Sequence, residues 1–515
     1  MKKFVYLVQS DDTMPYPELP GDDNDIILLT WKRPADFPSS IFYPESSWNE
    51  GRNRLLAEAL GRQRQNGWEY LYYIFMDGDC RVTEDRQLAR RLNVPLTGNP
   101  FRTFERYLTE WEPAVGYTRY DWQHVEPESE VNLGYNYDAI INAFHRETLS
   151  ALLPYYTGFD AESWLYSQHI INHLTAVLYN PYRIQFNVIR TENQARQGYP
   201  IRKKYWWIPT TFLLGALRSD LKQTIRIDNP NSPEPLPDTP RKKDRSYTVS
   251  ESFIDTHFDI RHPLVRFRQM PNGGAAHRRC SVSGSGKIAV CISGQCRALD
   301  RTFRNIRENL LDRLGDADIF MYVPDDEFSH LANLLNPAVL EVERDRPIDE
   351  RRLVDGKTCR LKAGVQAYLQ QLFGLKMVNR LREEYERKTG IRYDCIIRCR
   401  PDVLYLNPLP DVKSLDLSYL YVPDFHQFDG CNDRFAVGNP QDMDHYFNKL
   451  ADIHDYAENW LNANPAALPI SAEMFTAGQL RNHGVGVRTL SVRFNRVRAD
   501  GRVIVDTEAA GSNCC

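Results

Sequence analysis

The chain of 515 residues lacks several features that would assign it quickly to a class of protein. No apolar run approaches the ~20 residues of a membrane-spanning helix, and the apolar stretch 4–8 is shorter than the ~7–15 residues of a secretion signal. No Cys-x-x-Cys pair occurs among the ten cysteines, which argues against structural zinc. The net charge of −4 provides no field for nucleic acid. We therefore expect a soluble, cytoplasmic chain with free thiols, no transmembrane segment and no nucleic-acid partner.

The chain does have an ordinary globular composition, with 42% hydrophobic and 26% charged residues. Its length is more than a single hydrophobic core usually accommodates, so more than one domain is expected. Five prolines between 229 and 240, followed by Gly/Ser-rich sequence up to 286, predict a linker. We expect a first domain at 1–228, a basic Pro/Gly-rich linker region at 229–286, a second domain at 287–507 and a tail at 508–515. A strand pair is expected at 246–270.

The basic character of the middle of the chain leaves two interpretations open. Residues 201–287 carry 16 Lys/Arg against 8 Asp/Glu. Such an excess suits either a solvated linker or contact with phosphates or a membrane surface, so peripheral membrane association stays open. The two domains show no obvious sequence repeat. Both, however, alternate strand and helix signals, which predicts α/β domains with mostly parallel, Rossmann-like sheets.

In the first domain, a helix and a strand lead into an acidic motif. Ser47 and Glu50 fit a capping box for a helix that Gly67 would end. The six apolar residues 71–76 predict a strand buried on both faces, and Asp77-Gly78-Asp79 follows directly. Ligands of parallel sheets bind at the carboxyl ends of strands, and two carboxylates there can hold Mg²⁺ or Mn²⁺. The alternative is that Asp-Gly forms an ordinary turn.

This arrangement resembles that of GT-A glycosyltransferases over about the first 180 residues. The resemblance rests on the helix 48–66, the strand 71–76 and the DxD motif Asp77-Gly78-Asp79. It implies a nucleotide-sugar donor whose diphosphate is bridged by a metal held by Asp77 and Asp79. A phosphotransferase is a weaker alternative.

Acidic residues downstream are candidates for the base that accepts the proton of an attacking hydroxyl. A strand is predicted at 137–145, and a helix is predicted to open at 158–164 with Asp160 as its N-cap. The resemblance implies that Asp160 or Glu162 is catalytic, while a cap with a first-turn acid is the plain structural interpretation. His145 is considered as a further metal ligand, with simple packing as the alternative.

The second domain carries four separated motifs. Ser293-Gly294 ends a predicted strand and is followed by Arg297, and a long helix is predicted over 363–388. The segment 393–402 places Arg398 and Arg400 on one face of a strand with Asp402 at its end. Asn432-Asp433-Arg434 and the segment 471–480, which includes Glu473, complete the set.

In this order the four motifs resemble a broad group of bacterial, plant and viral glycosyltransferase-like proteins. The resemblance implies a second nucleotide-sugar site, with Asp402 also as a metal ligand and Glu473 as a catalytic base. Donor-binding residues of the two domains are then Asp77, Asp79, Arg297, Arg398, Arg400, Asp402 and Asp433. Arg400-Pro401-Asp402 departs from a true DxD motif. An ion-pair network of Arg398, Arg400 and Asp433 is the structural alternative.

The sequence as a whole therefore predicts two GT-A-like domains in tandem. The expected activity is metal-assisted transfer of a sugar from a nucleotide-sugar to a glycan or glycoconjugate acceptor, with Mn²⁺ or Mg²⁺ as cofactor. A non-catalytic nucleotide- or glycan-binding protein that retains the fold is the alternative.

Overall fold

The structure is a computed structural model, and it divides the chain into two compact units, Met1–Ala275 (unit 1) and Ala276–Cys515 (unit 2). No helix within the ranges it describes is long and apolar enough to cross a membrane. Those ranges are 2–44, 46–67, 69–121, 123, 127–134, 136–194, 205–222, 225, 246–269, 286–350, 353, 364–463 and 470–506.

Unit 1 is built on one mixed sheet with helices packed against it. Its strands are β1 Phe4–Ser10, β2 Asn24–Thr30, β3 Ser40–Phe42, β4 Tyr72–Asp77, β5 Cys80–Glu84, β6 Val115–Tyr120, β7 Val131–Leu133, β8 Ile141–His145 and β9 Arg183–Asn193. Its helices are α1 Trp48–Asn66, α2 Arg86–Leu92, α3 Pro100–Trp111, α4 Leu149–Leu152, α5 Leu165–Tyr179, α6 Trp207–Ala216, α7 Ser219–Lys222, α8 Glu251–His257 and α9 Pro263–Gln269.

Local sequence explains the elements that position the site in unit 1. Ser47 and Glu50 form the predicted capping box at the start of α1, and Gly67 ends the helix in the left-handed conformation at φ 70°. Every residue of β1 and β4 is buried, because both lie in the middle of the sheet with neighbours on either side. The central strands are therefore held firmly up to their carboxyl ends.

Unit 2 has a second mixed sheet and a small three-stranded one. Its strands are β10 Ile288–Ser293, β11 Ala317–Pro324, β12 Val339–Glu343, β13 Cys395–Cys399, β14 Val403–Tyr405, β15 Leu420–Pro423, β16 Ala436–Gly438, β17 Val487–Leu490, β18 Phe494–Val497 and β19 Val503–Ile504. Its helices are α10 Leu299–Asn309, α11 Gly364–Thr389, α12 Pro440–Phe447, α13 Ile453–Ala463 and α14 Ala472–Asn482.

The two large sheets share one topology. Seven strands of the unit 1 sheet, in the order β3-β2-β1-β4-β8-β6-β9, match the seven strands of the unit 2 sheet, in the order β12-β11-β10-β13-β16-β15-β17. The unit 1 sheet has two more strands, β5 and β7, which both pair with β9. In both, the first four strands are parallel, the fifth in the order is antiparallel to its two neighbours, and the last two are parallel to each other. The predicted α/β class is confirmed. The duplication, which the sequence does not show, is a property of the strand order.

Two predicted elements differ in the structure. The segment predicted as a strand pair at 246–270 instead contains the helices α8 and α9, within unit 1. The strand predicted at 137–145 is shorter, because β8 begins only at Ile141. Most of the predicted linker, with its five prolines, lies outside the described residues.

Candidate functional site

The motif Asp77-Gly78-Asp79 lies where the strand order of unit 1 reverses. The chain builds β1, β2 and β3 outward on one side and then returns to place β4 on the other side of β1. Open α/β sheets bind ligands in the crevice that such a reversal leaves at the carboxyl ends of the strands. Gln9 pairs in register with Asp77, and a Cβ on Gly78 would lie 2.6 Å from the Cβ of Ser10. The close approach of the two strand ends therefore requires glycine at position 78.

Asp77 is buried and shares its carboxylate with two side chains of α1. Its Oδ1 accepts hydrogen bonds from Arg52 Nη2 at 2.6 Å and from Trp48 Nε1 at 3.0 Å. The Arg52 guanidinium stacks 3.9 Å from the centroid of the Trp48 ring and also donates to the Ala139 carbonyl at 2.8 Å. Asp77 thus neutralises a buried cation, and Oδ1 is already committed.

Asp79 is exposed at the rim of the same crevice. The pKa of its carboxyl is raised, first by partial desolvation and then by the negative charge of Asp77, with a further contribution from Asp11. Several carboxylates within electrostatic range of one another favour a cation between them.

Asp77 and Asp79 could hold a divalent cation, but they would supply only part of its coordination shell. No group of three or more His, Cys, Asp or Glu side chains suited to a metal occurs in the described part of the chain. Mg²⁺ commonly takes one or two carboxylates and completes its shell with water and substrate phosphates. Asp77 and Asp79 would supply that partial shell, so the donor set fits a cation that is completed by a phosphate ligand.

The structure corrects two predictions about neighbouring residues. His145 pairs in register with Tyr72 at the start of β4, five residues from Asp77 and thus roughly 16 Å away, so it cannot complete a metal shell there. Asp160 does not cap α5, whose N-cap is Trp164. The four residues between Asp160 and Leu165, the first residue of α5, form turns and irregular structure instead of a helix.

Asp160 instead connects to the N-terminus of α1. Its carboxylate accepts hydrogen bonds from the Ser47 hydroxyl and, at 2.5 Å, from Asn49 Nδ2. Burial raises the pKa of Asp160 to about 7, and the two hydrogen bonds only partly oppose that rise. Since Trp48 between these residues contacts Asp77, the first turn of α1 holds both carboxylates at the same edge of unit 1. Glu162 lies two residues further and is half-buried.

In unit 2 the corresponding crevice lies between β10 and β13, and it carries an ion pair. Arg400 donates to both carboxylate oxygens of Asp402, from Nε at 2.7 Å and Nη2 at 2.8 Å. Burial alone would oppose ionisation of Asp402, but the Arg400 guanidinium holds its pKa below the usual value. Asp402 is therefore occupied by Arg400, which does not favour its predicted role as a metal ligand.

Arg398, Asp433 and Arg434 form a second charged group behind this pair. Arg398 is fully buried, and its Nη1 donates to the Arg434 carbonyl. Asp433 accepts a hydrogen bond from Gln371 Nε2 of α11 at 2.7 Å. Although Asp433 is buried, the charges of Arg434, Lys449 and Arg398 lower its pKa.

Glu473 lies at the N-terminus of α14, the helix that precedes the last strand of the sheet. Burial and the charge of Asp433 raise the pKa of Glu473 to about 7, and Arg434 Nη2 lies 3.4 Å from its Oε1. Lys449 is also buried, donates to the Thr476 hydroxyl at 2.9 Å and has its pKa lowered to about 7, chiefly by desolvation. Arg297 is half-buried beyond the end of β10, and in the described structure its Nε has no hydrogen-bond partner.

The sequence analysis missed two charged residues at these sites. They are Arg52 of α1, which pairs with Asp77, and Lys449, which follows α12 and lies near Asp433. Arg52 lies three and four residues before Leu55 and Leu56, so it sits on the buried stripe of α1. A charged residue on such a stripe indicates a buried ion pair and could have revealed the contact with Asp77. Lys449 follows no comparable pattern, since a short 3-10 helix between α12 and α13, Lys449–Ala451, brings it close to Asp433.

Comparison with known proteins adds little to this geometry. Residues 283–495 match the model of a family described as a domain of unknown function, DUF7796. No curated protein matches the chain. A crystal structure of an active-site mutant of LgtC is similar over 39% of this chain and 72% of its own, with 12% identity and a TM-score of 0.24. A TM-score this low does not support a shared fold, so the α/β assignment rests on the strand order of the structure itself.

Proposed function

We propose that the protein is a glycosyltransferase that binds a nucleotide-sugar at the strand-order reversal of unit 1. One observation carries the proposal: Asp77 and Asp79 lie at the carboxyl end of β4, beside the end of β1, where α/β sheets bind their ligands. The duplicated strand order in unit 2 supports it, because a carboxylate, Asp402, again follows the corresponding strand.

The acidic residues of unit 1 could supply the cation site and the base that such a transfer requires. Asp77 and Asp79 would hold Mn²⁺ or Mg²⁺, which offsets the charge of the departing diphosphate. The acceptor hydroxyl oxygen bonds to the sugar carbon, the bond from that carbon to the diphosphate oxygen breaks, and a carboxylate accepts the hydroxyl proton. Asp160 is the first candidate for this base because its pKa of about 7 suits proton transfer near neutral pH, and Glu162 is the second.

The partners that follow from the proposal are a nucleotide-sugar donor and a glycan or glycoconjugate acceptor. In unit 2, Glu473 would be the corresponding base, and its pKa of about 7 is again suited to the task.

The proposal is tested by nucleotide-sugar hydrolysis and transfer with and without Mn²⁺. We expect Asp79→Asn to lower the Mn²⁺-dependent rate by at least about 100-fold, because a neutral amide replaces one of two cation ligands. Glu110→Gln, an exposed acid on α3, serves as the matched control and should leave the rate unchanged. Activity that is indifferent to Mn²⁺ and to Asp79→Asn would contradict the assignment of unit 1.

A non-catalytic nucleotide- or glycan-binding protein is the second candidate. The ion pairs Arg52–Asp77 and Arg400–Asp402 favour it, because each engages a carboxylate that a metal would need. Saturable binding of nucleotide-sugars by the full chain, without turnover in any metal, would select this alternative.

A further inference from the structure

The shared topology allows the two crevices to be compared position by position. A Cβ on Gly51 of α1 would lie 2.4 Å from Gln9, and a Cβ on Gly374 of α11 would lie 3.6 Å from Ser293. Gln9 and Ser293 are thus the helix-facing residues at the ends of their strands.

Gln9 is in register with Asp77, and continuing the register beyond Ile292 and Cys399 places Ser293 beside Arg400. Asp77 of unit 1 therefore corresponds to Arg400 of unit 2, and Asp79 to Asp402. Two residues earlier, on the same face of each strand, Phe75 of β4 corresponds to Arg398 of β13.

Both units bury a guanidinium behind this crevice, but only one neutralises it with a strand carboxylate. In unit 1 the guanidinium of Arg52 lies 5.4 Å from the Phe75 ring centroid and is paired with Asp77. In unit 2 the guanidinium belongs to Arg398 itself, and the position that would supply its carboxylate holds Arg400. The negative partner found in unit 1 has been replaced by a second cation.

The hydrogen-bonding capacity of this cationic group is incomplete. Arg398 is 0% exposed, and its Nε and Nη2 have no hydrogen-bond partner among the residues that the structure describes. Under the same restriction, Nη1 of Arg434 also lacks one. Buried guanidinium N–H groups without acceptors are costly, so a missing anionic acceptor is the simplest explanation.

The carboxylates nearby are already engaged elsewhere. Asp402 is bound by Arg400 through both oxygens, and Asp433 accepts from Gln371. Three cations, Arg398, Arg434 and Lys449, act on Asp433, and Glu473 lies 3.4 Å from Arg434, so this group has three cations against two carboxylates. The Arg434 side chain keeps 13% of its surface exposed, which leaves an approach from solvent to this group.

We propose that the crevice at the carboxyl end of β13 binds the diphosphate of a nucleotide directly through Arg398 and Arg434, without a divalent cation. This inference rests on the proposed function and assigns the two units different chemistries for one class of ligand. Arginine is suited to the task, because its planar fork matches phosphate oxygens and stays charged. Arg400, although predicted to bind the donor, instead fixes Asp402.

The test is calorimetric titration of the full chain with inorganic pyrophosphate and with ADP, GDP, CDP and UDP, first in EDTA and then in Mn²⁺. We expect binding in EDTA that Arg434→Gln weakens about tenfold or more, in keeping with the loss of a charge-assisted hydrogen bond. Arg398→Gln should act in the same direction, and Arg434→Lys should retain part of the affinity. Arg380→Gln, an exposed arginine of α11 paired with Glu341, is the matched control.

The outcomes separate this inference from the proposed function. Binding that requires Mn²⁺ and disappears in Asp79→Asn would overturn the inference and leave the proposed function standing. EDTA-resistant binding that ignores Arg434→Gln would also overturn it. Absence of binding under both conditions would overturn both. Circular dichroism and melting curves of each variant exclude unfolding as the cause, and Arg434→Gln decides the matter if Arg398→Gln does not fold.

Discussion

At the scale of single residues, the pairing of Arg52 with Asp77 decides what the acidic motif can do. The two side chains are 1% and 9% exposed, so the ion pair is almost completely removed from water. Because the pair is buried, water and salt do not screen the attraction between the two charges. If one side chain were removed, the charge of the other would remain buried without a partner. Asp77 therefore stabilises the fold by compensating the buried charge of Arg52, a role that the exposed Asp79 of the same motif does not have.

Removing the cation of this pair should destabilise unit 1 strongly. We expect Arg52→Met to lower the free energy of unfolding by about 3–5 kcal/mol, because Asp77 would remain buried without compensation. Arg62→Met provides the control: its pair with Glu58 on the same helix is partly exposed, so a loss of less than about 1 kcal/mol is expected. Urea denaturation of the full chain measures both, and equal small losses would show that the pair is not buried in solution.

Asp160 gives a second residue-scale prediction, which concerns pH. Its pKa of about 7 exceeds that of an unfolded aspartate, so the folded state binds the proton more tightly. The stabilisation from this proton is complete below about pH 4 and is lost as the pH rises to about 7. Asp160→Asn should remove this part of the dependence, which amounts to at most ~4 kcal/mol.

The measurement is the difference in unfolding free energy between Asp160→Asn and the wild type from pH 4 to 8. The difference should move in favour of the variant as the pH rises and become constant above about pH 7. A difference that stays flat over the whole range would show that Asp160 titrates normally. Glu110→Gln should follow the wild-type curve throughout.

At the scale of elements, close backbone contacts set the position of the catalytic candidates. Gly430 lies against the N-terminus of α14, where an added Cβ would be 2.0 Å from the carbonyl oxygen of Glu473. The same carbonyl accepts a hydrogen bond from the amide of Cys431 at 3.0 Å. The loop before β16 therefore fixes the start of α14, and with it the side chain of Glu473.

Gly430→Ala should separate this loop from α14. We expect a loss of about 1–3 kcal/mol in stability from overpacking against backbone that cannot give way. Gly61→Ala is the contrasting variant, because nothing lies within 4 Å of a Cβ in the middle of α1, and it should stabilise the helix by about 0.5–1 kcal/mol. Thermal melts of the two variants should shift in opposite directions, and a shift in the same direction would contradict the packing argument.

At the scale of the whole molecule, the two units share an order of seven sheet strands but carry opposite charge at one equivalent position. Unit 1 has Asp77 where unit 2 has Arg400, and each is held in an ion pair, Asp77 with Arg52 and Arg400 with Asp402. Under the two proposals above, the shared strand order would serve an anionic ligand through a bound cation in unit 1 and through arginine side chains in unit 2.

Because each unit has its own sheet and core, each should fold when expressed alone. We expect residues 1–275 and 276–515 to give cooperative melts and circular dichroism spectra that add up to that of the full chain. A half that remains unfolded would show that its stability depends on the other half. The full chain analysed in parallel is the reference.

Local patterns made much of this architecture predictable. The capping box at Ser47, the end of α1 at Gly67 and the buried strand before Asp77 are all short-range features, and each was located correctly from the sequence. The predicted α/β class followed from the alternation of strands and helices. Predictions failed where the pattern was weak, as for the strand pair predicted at 246–270, or where a residue's role depended on which strand end it adjoined, as for His145.

The sequence by itself determined helix α1, the buried strand β4, the α/β class and the acidic and basic motifs, because these depend on residues close together in the chain. Only the tertiary structure decided that both sheets have the same strand order, that Arg52 takes up Asp77 and that Arg398 is buried without its full complement of partners. Those facts arise from contacts between segments 25 or more residues apart in the chain, or on different strands, whose pairing no local periodicity specifies.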